Sequence, residues 1–380
     1  MKLHRALPLA AVLLFVACGS DLAPTSQPTE AAPAPTTPTE PSASPFPDLK
    51  RGWTELPAPP EVRVTTATAW TGRELIVWGG YVYSGYSDEQ AQADGFVYEP
   101  EAQRWRSLPD GPLEARAQPA SAWTGTELLI WGGSPNTTFG SFVDDGAAYD
   151  PATETWRTLP QAPITARAPL SVWTGTEFIV WGTSIRLDEP LRDGAAYDPT
   201  TNEWRRIASA PIDLTDTTAA WTGHEMIVFG AALDHNNHAE TDTSIASAYD
   251  PIADTWRRLP DSPLSPQAST AAWNGRELIA WDYVNDTAAY DPAGNNWRRL
   301  GNTPLDNYEC VPRSVAVSGY FFGNYCGAMV VFDRTDETWR DVSRHEFLGW
   351  GFDLVAADPA VLLLGRNVDT KDEVMYAYRP

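Results

Sequence analysis

Positive charge, histidine, cysteine and long apolar runs are all scarce in this chain. Lys and Arg total 27 against 50 Asp and Glu, so the formal net charge is -23. A surface of that sign repels phosphate backbones and anionic headgroups, which excludes nucleic-acid binding and electrostatic adhesion to membranes. Beyond the first 17 residues no segment is long and apolar enough to span a bilayer. There is no Walker loop, no dinucleotide fingerprint and no nucleophile beside an obvious base. These absences leave cationic groups, metal ions, proteins and glycans as partners. No cofactor is expected.

Proline (33), glycine (27) and tryptophan (17) are abundant instead. Frequent turns between aromatic segments indicate an all-β chain. The N-terminus differs from the rest. Lys2 and Arg5 precede an apolar stretch from Ala6 to Ala17, too short for a permanent span, so residues 1–17 read as a signal peptide. Its end, Phe15-Val16-Ala17-Cys18-Gly19, resembles the bacterial lipobox, which implies lipidation of Cys18. The usual leucine three before the cysteine is replaced by Phe15, and ordinary secretion is the alternative. Cleavage would remove Lys2 and Arg5 and no acid, taking the charge from -23 to -25. Residues 18–46 are rich in Pro, Thr, Ser and Ala and are expected to form an extended, disordered tether.

From residue 47 to 380 three landmarks repeat in fixed order. A hairpin reads Trp70-Thr71-Gly72 through Trp78-Gly79-Gly80 and returns from Trp123, Trp173, Trp221 and Trp273, with weaker copies near Val317-Ser318-Gly319 and Ala357 to Gly365. A strand ends in an aromatic, an acid and proline, as in Tyr149-Asp150-Pro151. A tryptophan then follows: Trp105, Trp156, Trp204, Trp256, Trp297 and Trp339. All the tryptophans except Trp350 occupy repeat positions, and packing between sheets accounts for them. Four short strands per unit make a propeller blade.

The Gly-Gly, Tyr and Trp landmarks resemble kelch repeats, as found in the propeller of galactose oxidase. Gly79-Gly80 and Gly132-Gly133 match fully, Gly182-Thr183 and Gly230-Ala231 halfway, and Asp282-Tyr283 not at all. The resemblance implies a seven-bladed kelch-like β-propeller, all-β. The last blade lacks its own Trp strand, and Trp53 at the N-terminus supplies one, so an N-terminal strand is expected to close the ring. Galactose oxidase needs copper with histidine ligands and a tyrosine–cysteine cross-link. This chain shows no matching set, so that activity is not carried over.

With Cys18 lipidated, Cys310 and Cys326 remain. They flank the hairpin of blade six, where a disulfide is geometrically plausible, with two free thiols as the alternative. Asp234, His235 and His238 form the densest metal-ligand-like cluster, and a polar surface loop explains them equally. Arg63, Arg116 and Arg167 recur before the first strands of blades one to three, with Arg313 as a counterpart in blade six. Asp94, Asp145 and Asp193 recur before the third strands. Repeat geometry brings both sets to one rim as a candidate binding site. The alternative is that the arginines satisfy backbone carbonyls and the Asp-Gly pairs make turns.

The leading expectation is therefore a monomeric, lipid-anchored envelope protein on the extracytoplasmic face of a bacterial cell. It would bind an extracytoplasmic protein or glycan through its rim loops. The alternative is a carbohydrate-active enzyme, an isomerase or lyase using rim arginines and carboxylates.

Overall fold

The repeated Trp-Thr-Gly-x-Glu turn reverses the chain within a few residues. Thr71 accepts from Glu74 N through its hydroxyl at 2.9 Å, and its backbone N–H donates to the Glu74 carbonyl at 3.0 Å. Gly72 takes the left-handed conformation this tight turn requires, with φ +88°. The turn fixes register, so Trp70 pairs with Leu75 and Ala67 with Trp78. The same turn recurs at Thr124, Thr174 and Thr222.

The structure is a computed structural model of the full chain. It describes residues 45–46, 49–82, 90–135, 141–183, 191–212, 214–231, 243–266, 269–282, 284–305, 313–325, 328–344 and 352–380. Ser44–Pro380 forms one unit. Among the described residues are seven antiparallel four-stranded sheets. Their inner strands are Ala67–Trp70, Ala120–Trp123, Ala168–Trp173, Thr215–Trp221, Ser269–Trp273, Arg313–Val317 and Asp353–Ala357. Each inner strand touches that of the next blade, and the last touches the first, so the blades form a closed ring. This is the seven-bladed propeller expected from the repeats. A small two-stranded sheet, Arg63–Val64 with Tyr81–Val82, was not anticipated from the sequence.

The N-terminal closure is present. Gly52–Leu56 is the outer strand of blade seven and pairs with Glu373–Arg379, setting Trp53 opposite Tyr378. Every blade carries such an aromatic pair across its outer two strands. Ring centroids lie 4.9 Å apart for Tyr149 and Trp156, 5.1 Å for Tyr197 and Trp204, and 5.0 Å for Trp53 and Tyr378. Most of these indoles also reach backward to the preceding blade. Trp105 Nε1 donates to the Pro57 carbonyl, Trp156 to Pro109, Trp204 to Pro160, and Trp53 to Val342, at 2.9 to 3.0 Å. Trp78, Trp131, Trp181 and Trp281 lie at or near the ends of second strands and are the largest fully buried side chains. Burial of such rings dominates the stability of the core.

The folded unit begins earlier than the sequence suggests. Phe46, placed in the tether by composition, is buried with its ring stacked on Trp70. The apolar surface offered by Trp70 and Leu75 outweighs the proline-rich context. Among the described residues no helix is long and apolar enough to cross a membrane.

Gly80 shows why the glycine pair recurs. Its φ is +83°, and a Cβ there would lie 2.7 Å from the Val64 carbonyl oxygen. Its N–H donates to the Arg116 carbonyl at 2.9 Å, so it also joins blade one to blade two. Gly80→Ala is expected to lower stability by about 1–3 kcal/mol, measured by urea unfolding. An unchanged midpoint would show that the backbone relaxes freely there.

Candidate functional site

The rim arginines precede inner strands, and the rim aspartates precede third strands. The fold therefore brings each pair together within one blade. Arg63 Nη1 donates to the Asp94 carbonyl at 3.0 Å and pairs with its carboxylate at 2.8 Å, while Nε donates to Glu61 at 2.9 Å. Arg116 makes a two-pronged pair with Asp145, at 2.6 and 3.2 Å, and also donates to the Glu114 carbonyl. Arg167 Nη1 reaches both the carbonyl and the carboxylate of Asp193, at 2.7 and 2.9 Å, and Nε reaches the Thr165 carbonyl. The three arginine side chains are only 3%, 1% and 0% exposed, whereas Asp145 is 53% exposed. Each guanidinium is thus a buried clasp between two loops, with its carboxylate toward solvent. Buried charge is tolerated here because carbonyls and a carboxylate contact each guanidinium, with Arg167 Nη2 alone of its nitrogens buried without a hydrogen-bond partner.

The glycines after these aspartates open strands instead of sitting in turns. A Cβ on Gly146 would lie 2.6 Å from the Ile130 carbonyl oxygen. Close backbone approach, not turn formation, is what excludes a side chain.

Blade five replaces the arginine with an inverted device. Asp282 is fully buried and accepts from the backbone N–H groups of Ser265, Val284 and Asp286 at 2.9, 3.1 and 2.9 Å. Desolvation raises its carboxyl above the usual range in spite of those bonds. The break in the arginine pattern therefore marks a change of sign in the clasp. It stands where the kelch Gly-Gly is lost.

Arg313 is unlike the other three. It starts its inner strand, is 46% exposed, and donates to Asp353 Oδ1 at 2.7 Å in the next blade. Asp353 begins the inner strand of blade seven, and Thr66 of blade one donates to its other oxygen at 3.0 Å. Three blades thus meet at one carboxylate, 14% exposed, at the mouth of the inner-strand ring. Burial raises the Asp353 carboxyl above the usual range, against the lowering effect of Arg313. A folded-state value above the unfolded one means the native protein holds this proton more tightly. Its contribution is greatest in acid and is lost as pH rises from the ordinary aspartate value through the raised one. Asp353→Asn keeps an acceptor for Arg313 and a donor for Thr66. The difference in unfolding free energy between variant and wild type is expected to rise across that window in favour of the variant. Parallel pH curves would contradict this.

Sequence reasoning missed a second, outer set of clasps. In blades one to five the arginine after the outer-strand tryptophan meets the glutamate of its own hairpin and the next blade. Arg157 binds Glu127 at 2.6 and 2.8 Å, then donates to Tyr197 Oη at 2.8 Å. Arg205 with Glu177 and Tyr249, and Arg257 with Glu225 and Tyr290, repeat it. The pairing glutamate raises each guanidinium further, so these arginines stay charged at any working pH. The signal was present: a glutamate stands four residues after each of Trp70, Trp123, Trp173, Trp221 and Trp273.

On the opposite face, where the hairpin turns lie, blades one and two enclose a cavity of about 690 Å³. Trp123 lines it together with Arg73, Glu99, Glu101 and Asp150.

Several expected sites lie outside the described residues. These are Cys18, the Cys310–Cys326 pair, and the Asp234, His235 and His238 cluster. Among the described residues no group of three or more His, Cys, Asp or Glu is placed to hold a metal.

The comparisons agree with this architecture. Over 110 residues the chain is 28% identical to a protein of Arabidopsis thaliana named as an F-box/kelch-repeat protein. That match covers 29% of this chain and 27% of the plant protein, so the chain spans about a quarter of it. The family described as the KLHDC2/KLHL20/DRC7 Kelch-repeats domain matches residues 64–275, more than half of the chain. That match, the seven four-stranded sheets and the repeated Tyr–Trp pairs place the chain in the KLHDC2/KLHL20/DRC7 Kelch-repeats domain family.

Proposed function

We propose that this protein is a lipid-anchored binding or scaffold module of a bacterial cell envelope. Its propeller would engage an extracytoplasmic protein or glycan. The observation that carries the reading is the burial of Arg63, Arg116 and Arg167. Their guanidiniums hold described loop segments together and do not face a ligand, so recognition at this rim falls to exposed groups such as the Asp94 and Asp145 carboxylates. Kelch-repeat propellers are typically protein-binding or scaffold modules, which supports the same reading. The likeness to galactose oxidase is taken as one of fold alone.

The anchor rests on Lys2, Arg5, the apolar stretch and Cys18. The tether would hold the propeller off the membrane, and the strong negative charge fits a partner with cationic groups. Cys18→Ser is expected to move the full-length protein from the membrane fraction to the soluble fraction. Retention in the membrane would remove the anchor from this reading. A disulfide between Cys310 and Cys326 would staple blade six. It predicts no free thiol in the mature protein before reduction.

A second reading is favoured by Arg313 and Asp353. A half-exposed guanidinium beside a carboxyl that burial raises above the usual range would serve acid–base chemistry on a sugar. The two readings separate in one experiment. Full-length protein is assayed for turnover of uronic-acid and sialic-acid sugars, and for partner adducts by photo-cross-linking from loop positions. Adducts without turnover support the module. Turnover abolished by Arg313→Ala, with melting unchanged, supports the enzyme.

A further inference from the structure

Phe46 reveals how the hairpin-turn face accepts a ring. It stacks on Trp70 with centroids 5.0 Å apart and planes 13° apart, and is 4% exposed. Trp70 ends the inner strand of blade one, and Trp123 ends that of blade two. The repeat therefore sets the two indoles at equivalent positions in neighbouring grooves. Above Trp70 the groove holds the chain's own Phe46. Beside Trp123 stands the cavity of about 690 Å³.

We propose that this cavity is a peptide-binding groove that takes an aromatic ring between prolines, on an extended segment flanked by basic side chains. The stacked Phe46 supplies the ring chemistry, and the sequence Pro45-Phe46-Pro47 supplies the residue types beside the ring, prolines that in a partner peptide favour an extended backbone. The charge of the walls supplies the flanks. Glu101 is 66% exposed, with Arg73 3.9 Å away as its partner. Glu99 is kept ionised below the usual range by its bond to Arg104. Asp150 lines the far wall from blade two. A basic partner peptide meets complementary charge at these carboxylates.

This inference deepens the binding-module reading, and it uses the face opposite the loops that carry Arg116. The test uses the full-length protein and a fluorescein-labelled peptide, Gly-Lys-Pro-Phe-Pro-Arg-Gly, followed by fluorescence anisotropy. Saturable binding is expected, weakened at least about tenfold when the peptide Phe is replaced by Ala. Ala152→Trp, at an exposed wall position, is expected to block the groove to a similar degree with unchanged melting. Should that variant melt early, Glu101→Arg serves as the second probe. It is expected to weaken binding and to favour a peptide with acidic flanks. Absent saturable binding overturns the proposal, and so does binding unaffected by both variants. Self-association of the protein in place of peptide binding overturns it too. Loop-face adducts without peptide binding would remove this inference and leave the module reading. Peptide binding without loop-face adducts would keep this inference and remove only the loop face from the module reading.

Discussion

Deleting Gly52–Leu56 is expected to abolish cooperative folding of the whole ring, not merely to fray one edge. The five residues pair in register with Glu373–Arg379, the third strand of the last blade. Without them that strand becomes a bare edge with unpaired backbone groups. Tyr378 also loses the ring that completes its aromatic pair, and the Val342 carbonyl of blade six loses its indole donor. The damage therefore spreads to two blades. Trp53→Ala alone is expected to cost about 3 kcal/mol, near the lower bound for large aromatic truncations because the side chain is only partly buried. Urea unfolding followed by tryptophan fluorescence measures both. A truncated protein with an unchanged midpoint would show that the ring closes without this strand.

The second large effect is expected at Arg167. Its side chain is fully buried and holds three oxygen acceptors in two loops. Arg167→Ala removes those bonds and leaves a cavity, at an expected cost of about 3–5 kcal/mol. Arg167→Lys is expected to recover little, because one ammonium cannot reproduce the planar fork. The comparison variant is Asp193→Asn, which keeps an acceptor and is expected to cost less. If Arg167→Ala left stability intact while removing a ligand or a turnover, the arginine would be a recognition group and not a clasp. The same reasoning applies to Arg116, so loss of activity in a double variant is interpretable only beside its melting curve.

The fold was legible because its signals are local. A Thr-Gly or Asn-Gly turn, a Tyr-Asp-Pro strand end and a Trp six or seven residues on each specify a short-range geometry. Trp53 was legible as the closing strand because every other blade already had its tryptophan. The site was harder to read, since a sequence gives position along the chain but not exposure. Arg63, Arg116 and Arg167 could be placed at the correct rim by repeat counting. That they point inward depends on where the carbonyls of Glu114, Thr165 and Asp193 fall, which only the folded loops define. Phe46 was missed for a related reason: a proline-rich context signals a segment without a core of its own, and a single ring in such a segment can still dock. The outer arginine–glutamate clasps had a sequence signal, but it joins residues about 30 apart and becomes visible only once the blades are aligned.

The most direct test of the account is site-specific photo-cross-linking of the full-length protein in intact envelopes, scanned around the loop face that carries Asp94, Asp145 and Asp193. The account predicts a discrete, competable adduct with one partner from neighbouring loop positions, persisting in a variant with Arg313→Ala. Absence of any macromolecular adduct, together with sugar turnover that Arg313→Ala abolishes, would contradict it and establish a catalytic rim.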